Sequence, residues 1–219
     1  MTQLIEALSL SVCTESYCSW CDDSLCAALL GVILVLKQYS LIGHGLGDVG
    51  FASTSLAVAL GLPVMAVSIP IVVIAACLIM FWSQRSKTGG DTAIGMVATG
   101  ALSIGVIITA MSSGFNVDVN GYMFGSILAM SREDVIFSVV LSIVILVLFV
   151  VFYNRLFLIT FDENFAKASG IRVGFYQFLI ALLTALTVVM GMRMMGSLLI
   201  SSLIIFPAVI ARKLVVSFK

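Results

Sequence analysis

Apolar residues run through this chain in unbroken blocks rather than at alternate positions. Pro63 to Trp82 and Thr92 to Met111 carry no charge and are long enough to cross a hydrocarbon core, and Val135 to Tyr153 is nearly as long. Phe175 to Met192 and Ser197 to Ala211 read as two further spans joined by the sharp connection Gly191-Met192-Arg193-Met194-Met195-Gly196. Without period-two alternation, apolarity on every face favours helices over a barrel. Leu25 to Leu36 is an apolar run too short to span alone, and Tyr122 to Met130, also too short, predicts a re-entrant or interfacial helix buried against protein. The pattern predicts an all-α, polytopic transmembrane helical bundle of about six to seven membrane segments, forming one domain over residues 1–219.

Charge gives the orientation. Lys37, the pair Arg85 and Lys87, the stretch from Arg155 to Arg172, and Arg212 with Lys213 are each separated by one pair of spans, so the positive-inside rule places all four in the cytoplasm. The opposite loops, 61–63, 112–121 and 191–196, carry little positive charge apart from Arg193. Composition agrees with a lipid solvent: 61% hydrophobic residues, 10% charged residues and a mean hydropathy of +1.21. A net charge of zero gives no sign of a nucleic-acid partner. The start Met-Thr-Gln-Leu-Ile-Glu lacks the basic region of a cleavable signal peptide, so none is expected.

Residues 10 to 24 break the pattern. Cys13, Cys18 and Cys21 cluster there, Cys26 follows, and the only other cysteine is Cys77. The Cys-x4-Cys-x2-Cys spacing fits an iron-sulfur cluster, and four thiols could also hold zinc. A plainer reading is a pair of compensating frameshifts. Read one nucleotide later, tolerated codons give Phe-Pro-Phe-Val-Gln-Arg-Ala-Ile-Val-Ala-Gly-Val-Met-Ile, an ordinary start for a membrane helix that joins Leu25 to Leu36. As written, Glu15, Asp22 and Asp23 are expensive in a bilayer, so residues 1–24 count as aberrant and the first helix is expected to be short or displaced.

Two places carry candidate chemistry. His44, the only histidine, lies four residues before Asp48 in the run 41 to 50, so on a helix the imidazole and the carboxylate share one face. An ionisable residue inside an apolar segment is a functional candidate, and Gly43, Gly45, Gly47 and Gly50 would let another helix approach closely. A mutual pair that snorkels to the headgroups is the structural alternative. One His and one Asp are too few for a transition metal, but two copies across a twofold axis would supply two nitrogens and two oxygens. The second place is the loop 153 to 170, where Phe161, Phe165 and Ala168 fall at helical spacing, Asp162 and Glu163 open the turn and Gly170 ends it. This predicts either a membrane-surface helix or a docking element.

These residues resemble a known family. The loop Phe-Asp-Glu-Asn-Phe-Ala-Lys-Ala-Ser-Gly-Ile (161 to 171) is similar to the coupling segment of the membrane permease subunits of zinc/manganese ABC importers. The likeness extends through Asp91-Thr-Ala-Ile-Gly95, Tyr122-Met-Phe-Gly-Ser-Ile-Leu-Ala129 and Met195-Gly-Ser-Leu-Leu-Ile-Ser-Ser-Leu-Ile-Ile-Phe-Pro-Ala208, from about Leu25 to the end of the chain. It implies that 154–171 is a cytoplasmic loop in which Phe161, Asp162, Glu163, Phe165, Ala166, Ala168 and Gly170 meet an ATPase subunit. It further implies a multi-pass protein of the bacterial plasma membrane that carries Zn2+ or Mn2+, with no permanently bound cofactor. Its partners would be a second permease copy, a cytoplasmic ABC ATPase dimer that uses the ATP, an extracellular or periplasmic metal-binding protein, and membrane lipid.

Two departures stand out. The family pattern Gly-Asp-x-Leu-Ser-His, whose Asp and His serve metal passage, is met here by Gly43-His44-Gly45-Leu46-Gly47-Asp48, with the two ligand types exchanged. The exchange keeps face and donor set while moving each donor by about one turn. Family members also continue past Lys219 with further helices, so a truncated or inactive fragment is an alternative expectation. The chain has no phosphate-binding Gly-x4-Gly-Lys-Ser/Thr loop and is not expected to be an enzyme. An intramembrane hydrolase using His44 and Asp48 is the rival from another class, although no nucleophile elbow supports it. Glycines 89, 95, 100, 105 and 114 could form a hinge and methionines 190, 192, 194 and 195 a soft-metal path, but helix packing and gap filling explain both.

Overall fold

The computed structural model describes residues 11–37, 39, 41–85, 90–111, 125 and 132–214. Among these residues the chain forms eight helices: α1 Ser11–Leu36, α2 Ile42–Ala59, α3 Val64–Arg85, α4 Gly90–Met111, α5 Arg132–Phe161, α6 Glu163–Ala168, α7 Val173–Met195 and α8 Ser197–Leu214. Four stretches are long and apolar enough to cross a membrane, namely Val64–Trp82, Gly90–Met111, Ile136–Phe161 and Val173–Met195, while Ser197–Ala211 is a shorter apolar helix. Pro70 and Pro207 lie inside α3 and α8 without ending them, as membrane helices allow.

The core is built around α7, which packs against α1, α2, α3, α5, α6 and α8. Of its apolar span 72% is buried, against 17% for α4, which touches chiefly α2 and α3 and turns most of its surface outward. The first crossing, of α1 over α8, is made possible by Gly31, whose missing side chain lets the Ile204 carbonyl approach.

The first helix corrects one expectation: α1 is neither short nor displaced but 26 residues long and docked on α5, α7 and α8. Its Asp23 is buried, with Ser138 Oγ donating to one carboxylate oxygen at 3.2 Å and Ser142 Oγ donating to the other. Two hydroxyls from α5 therefore replace part of the hydration that the carboxylate loses. Cys26 is buried beside them and donates its thiol to the Ser142 carbonyl, 3.6 Å away. Cys26 and Cys77 are free thiols, and the side chains of Cys13, Cys18 and Cys21 lie outside the described residues.

The connection between the last two spans is also tighter than expected. Helix α7 continues through Gly191 to Met195, and Gly196 alone, at φ +84°, turns the chain into α8. Gly191 serves packing: a Cβ there would lie within 2.7 Å of Ile200 side-chain carbons. The expected re-entrant helix at 122–130 lies outside the described residues except for Gly125. That glycine, at φ +73°, packs on the backbone of Met194, Met195 and Gly196.

Candidate functional site

Helix α2 begins at the end of the bundle where the sequence places the cytoplasm. Contacts join the turn before α2 to the start of α4 and the turn after α1 to α6. The Leu41 amide, just before α2, donates to Asp91 Oδ1 at the start of α4 over 3.3 Å, giving the α2 N-terminus an anionic partner. Lys37, half-buried in the turn after α1, lies within electrostatic reach of Glu163. Burial pushes its ammonium below the usual lysine range and the Glu163 carboxylate draws it back up.

The glycines of α2 set its neighbours. A Cβ at Gly43 would lie 3.0 Å from the Ile204 side chain and one at Gly47 3.1 Å from Ser197, so this row faces α8. Gly45 faces Ile94 of α4 at 2.6 Å, and Gly50 faces the Met192 thioether of α7 at 2.7 Å. The close approach expected of these glycines is present. At 100° per residue, His44 and Asp48 fall between the α8-facing and α4-facing rows, on the side turned away from α7.

The two side chains share that face as expected. His44 Nε2 stands 3.8 Å from Asp48 Oδ2, an ion-pair distance but too long for a hydrogen bond. The His44 side chain is 52% exposed and that of Asp48 15%, so the pair is open on one side. Two turns beyond Asp48 on the same face, Ser55 is buried and accepts a 3.2 Å hydrogen bond from Thr109 of α4. Among the described residues no group of three His, Cys, Asp or Glu side chains could hold a metal ion, and the pair itself offers one imidazole and one carboxylate. The hydrolase alternative gains nothing: Ser201 and Ser202 donate to the carbonyls of Ser197 and Leu198 one turn back, which leaves neither hydroxyl aimed at an imidazole. Met190, Met192, Met194 and Met195 are buried packing residues, Met192 filling the space above Gly50.

The second candidate, the 161–171 segment, forms a compact knuckle. Asp162 caps α6 by accepting from the Phe165 amide at 2.9 Å, and the far end closes with Gly170 N–H on the Lys167 carbonyl and Ile171 N–H on the Ala166 carbonyl. Gly170 adopts φ +78°, the left-handed conformation that this closure needs. The segment has distinct inner and outer faces. Phe161 ends α5, and Phe161, Phe165 and Ala168 are exposed, whereas Ala166 is the residue seated on the bundle. Glu163 accepts from Lys167 Nζ at 2.7 Å and from Gln177 Nε2 of α7 at 3.3 Å. Sequence reasoning missed Gln177 and the Asp23 cluster, because their partners are distant along the chain and carry no local pattern.

The chain is similar to known proteins in sequence and fold. The chain is 31% identical to the high-affinity zinc uptake system membrane protein ZnuB of Haemophilus influenzae over 194 residues, which cover 87% of this chain and 73% of that protein. It is 29% identical to the manganese transport system membrane protein MntC of Halalkalibacterium halodurans, covering 88% of this chain and 69% of the relative. Among solved structures, PsaBC from Streptococcus pneumoniae in complex with Fab superposes with a TM-score of 0.83 at 27% identity, over 99% of this chain and 78% of that one. The model of the ABC 3 transport family matches residues 23–219. With its apolar helices and permease relatives this is a multi-pass bacterial inner-membrane protein, and the chain belongs to the ABC 3 transport family of metal transporter permeases.

Proposed function

We propose that this chain is the membrane-spanning subunit of an ATP-driven importer that moves Zn2+ or Mn2+ across the plasma membrane, with residues 1–219 acting as one permease domain. The observation that carries this reading is the His44–Asp48 pair: one imidazole and one carboxylate on the open side of α2, too few to hold an ion alone. A second copy facing the pair across a twofold axis completes a nitrogen and oxygen set suited to either ion. No cofactor is held permanently, and the metal is cargo.

The exposed Phe161 and Phe165, with Asp162, Glu163, Ala166, Ala168 and Gly170 fixing the knuckle that presents them, form the docking element for a separate cytoplasmic ATPase dimer. ATP hydrolysis belongs to that dimer, and a metal-binding protein delivers the ion to the opposite face. Closing of the ATPases moves the knuckles and switches the bundle between inward- and outward-open arrangements.

Cellular metal content tests this reading. In a host lacking its own uptake systems, the chain co-expressed with its ATPase and binding protein should raise Zn2+ or Mn2+ accumulation, and the same set without the chain should not. Accumulation that ignores the presence of the chain, with all components expressed, would rule out the transport role.

A further inference from the structure

Two kinds of contact hold the knuckle to the bundle. Ala166 packs against it, fully buried, and Glu163 reaches sideways with both carboxylate oxygens. One oxygen stays within α6: the Lys167 pair is a surface i,i+4 contact, 59% and 42% exposed, of a kind worth only about 0.3–0.5 kcal/mol. The other oxygen leaves α6 and accepts from Gln177, a buried amide in the second turn of α7. Lys37 adds positive potential from the foot of α1 toward the same carboxylate.

The helix that donates that bond is in contact with most others in the bundle. From Gln177 it runs about 22 Å, at 1.5 Å per residue, to Met192. Met192 sits where Gly50 lacks a side chain, two residues beyond Asp48. A single rigid element thus connects the Glu163 carboxylate to the helix that bears the metal pair.

We propose that Glu163 is the positioning residue that couples the knuckle to transport: by gripping Gln177 it makes α6 and α7 move together, so displacement of the 161–171 segment is carried by α7 to α2 at Gly50. The inference rests on the reading of the chain as an ATP-driven permease. Under it, packing of Ala166 alone lets α6 slip when pushed, and the ATPase then turns over without moving the ion.

The ratio of ATP hydrolysed to ion moved reads this directly, in proteoliposomes holding the whole transporter with its ATPase and binding protein. Glu163→Ala and Gln177→Leu should each raise the ratio by about fivefold or more while ATP turnover persists, in the range expected when a coupling contact is lost. The double variant should be no worse than either single one, because both remove the same bond. Glu163→Gln, whose amide oxygen can still accept from Gln177, should raise the ratio less than Glu163→Ala, and Lys167→Ala, which loses only the surface pair, should stay near the unaltered ratio. Leucine suits position 177 because that residue borders an apolar cavity of 590 Å³ lined also by Val73, Cys77 and Phe178. If Glu163→Ala does not assemble, the contrast between Gln177→Leu and Lys167→Ala decides. A ratio unchanged in Gln177→Leu, or penalties of the two single variants that multiply in the double, would overturn the proposal. Failure of the unaltered transporter to move either ion sinks the transport reading instead.

Discussion

Replacing Gly31 by alanine should loosen the bundle at the crossing of α1 and α8, and the structure sets the scale. A Cβ at this position would lie 2.0 Å from the Ile204 carbonyl oxygen, 2.9 Å from its carbon and 3.3 Å from its Cα. The obstacle is backbone, so no rotamer change relieves it. To restore a normal contact near 3.5 Å the helices must part by about 1.5 Å along that line. Separation strips packing from buried neighbours such as Leu30, Leu34 and Ile204. Overpacking of this kind costs about 1–3 kcal/mol, and a backbone obstacle argues for the upper end. Alanine returns up to about 1 kcal/mol in helix propensity, leaving a net loss near 2 kcal/mol. Gly95→Ala is the matched control, because nothing stands within 4 Å of its Cβ position and only the propensity gain applies. Unfolding midpoints of the detergent-solubilised variants should fall by roughly 4–8 °C for Gly31→Ala and stay level or rise for Gly95→Ala. Equal midpoints for the two variants would refute the packing argument.

Other consequences can be measured in the same way. Gly125→Ala combines a φ of +73° with a Cβ 2.5 Å from the Met195 carbonyl carbon, so it should lower the midpoint, and a neutral result would contradict the close approach. Asp162→Ala removes the cap on α6 and should cost about 1 kcal/mol locally. Amides 163–168 should then exchange hydrogen faster with the global midpoint unchanged, and unaltered exchange would show that the cap contributes nothing. Ser142→Ala should destabilise by about 1–3 kcal/mol by leaving a buried carboxylate one donor short, but far less in an Asp23→Leu background. Equal losses in both backgrounds would mean that the α1–α5 bond is not what holds Asp23.

The spans were legible because unbroken apolarity is a local property, and the i,i+4 spacing alone put His44 and Asp48 on one face. What stayed hidden depends on partners distant in sequence. The cost assigned to Asp23 assumed lipid around it, whereas Ser138 and Ser142, 115 and 119 residues away, supply its hydrogen bonds. Gly191 looked like a turn residue because glycine serves both bending and close packing, and only Ile200 against it reveals the second role. At the knuckle, the spacing of Phe161, Phe165 and Ala168 predicted a membrane-surface helix or a docking element, but not that Asp162 ends α5 and restarts the chain as α6. The phenylalanines then point outward and Ala166 inward.

Uptake of Zn2+ and Mn2+ into proteoliposomes carrying the complete transporter tests the central claim most directly, using His44→Ala, Asp48→Ala and the double exchange His44→Asp with Asp48→His. Each alanine variant should lose at least about tenfold in rate, since even outer-shell partners of metal sites cost that much. The exchange should keep substantial uptake, because it preserves the face and the donor set. Wild-type rates in both alanine variants, at normal expression and assembly, would contradict the assignment of this pair to the metal path.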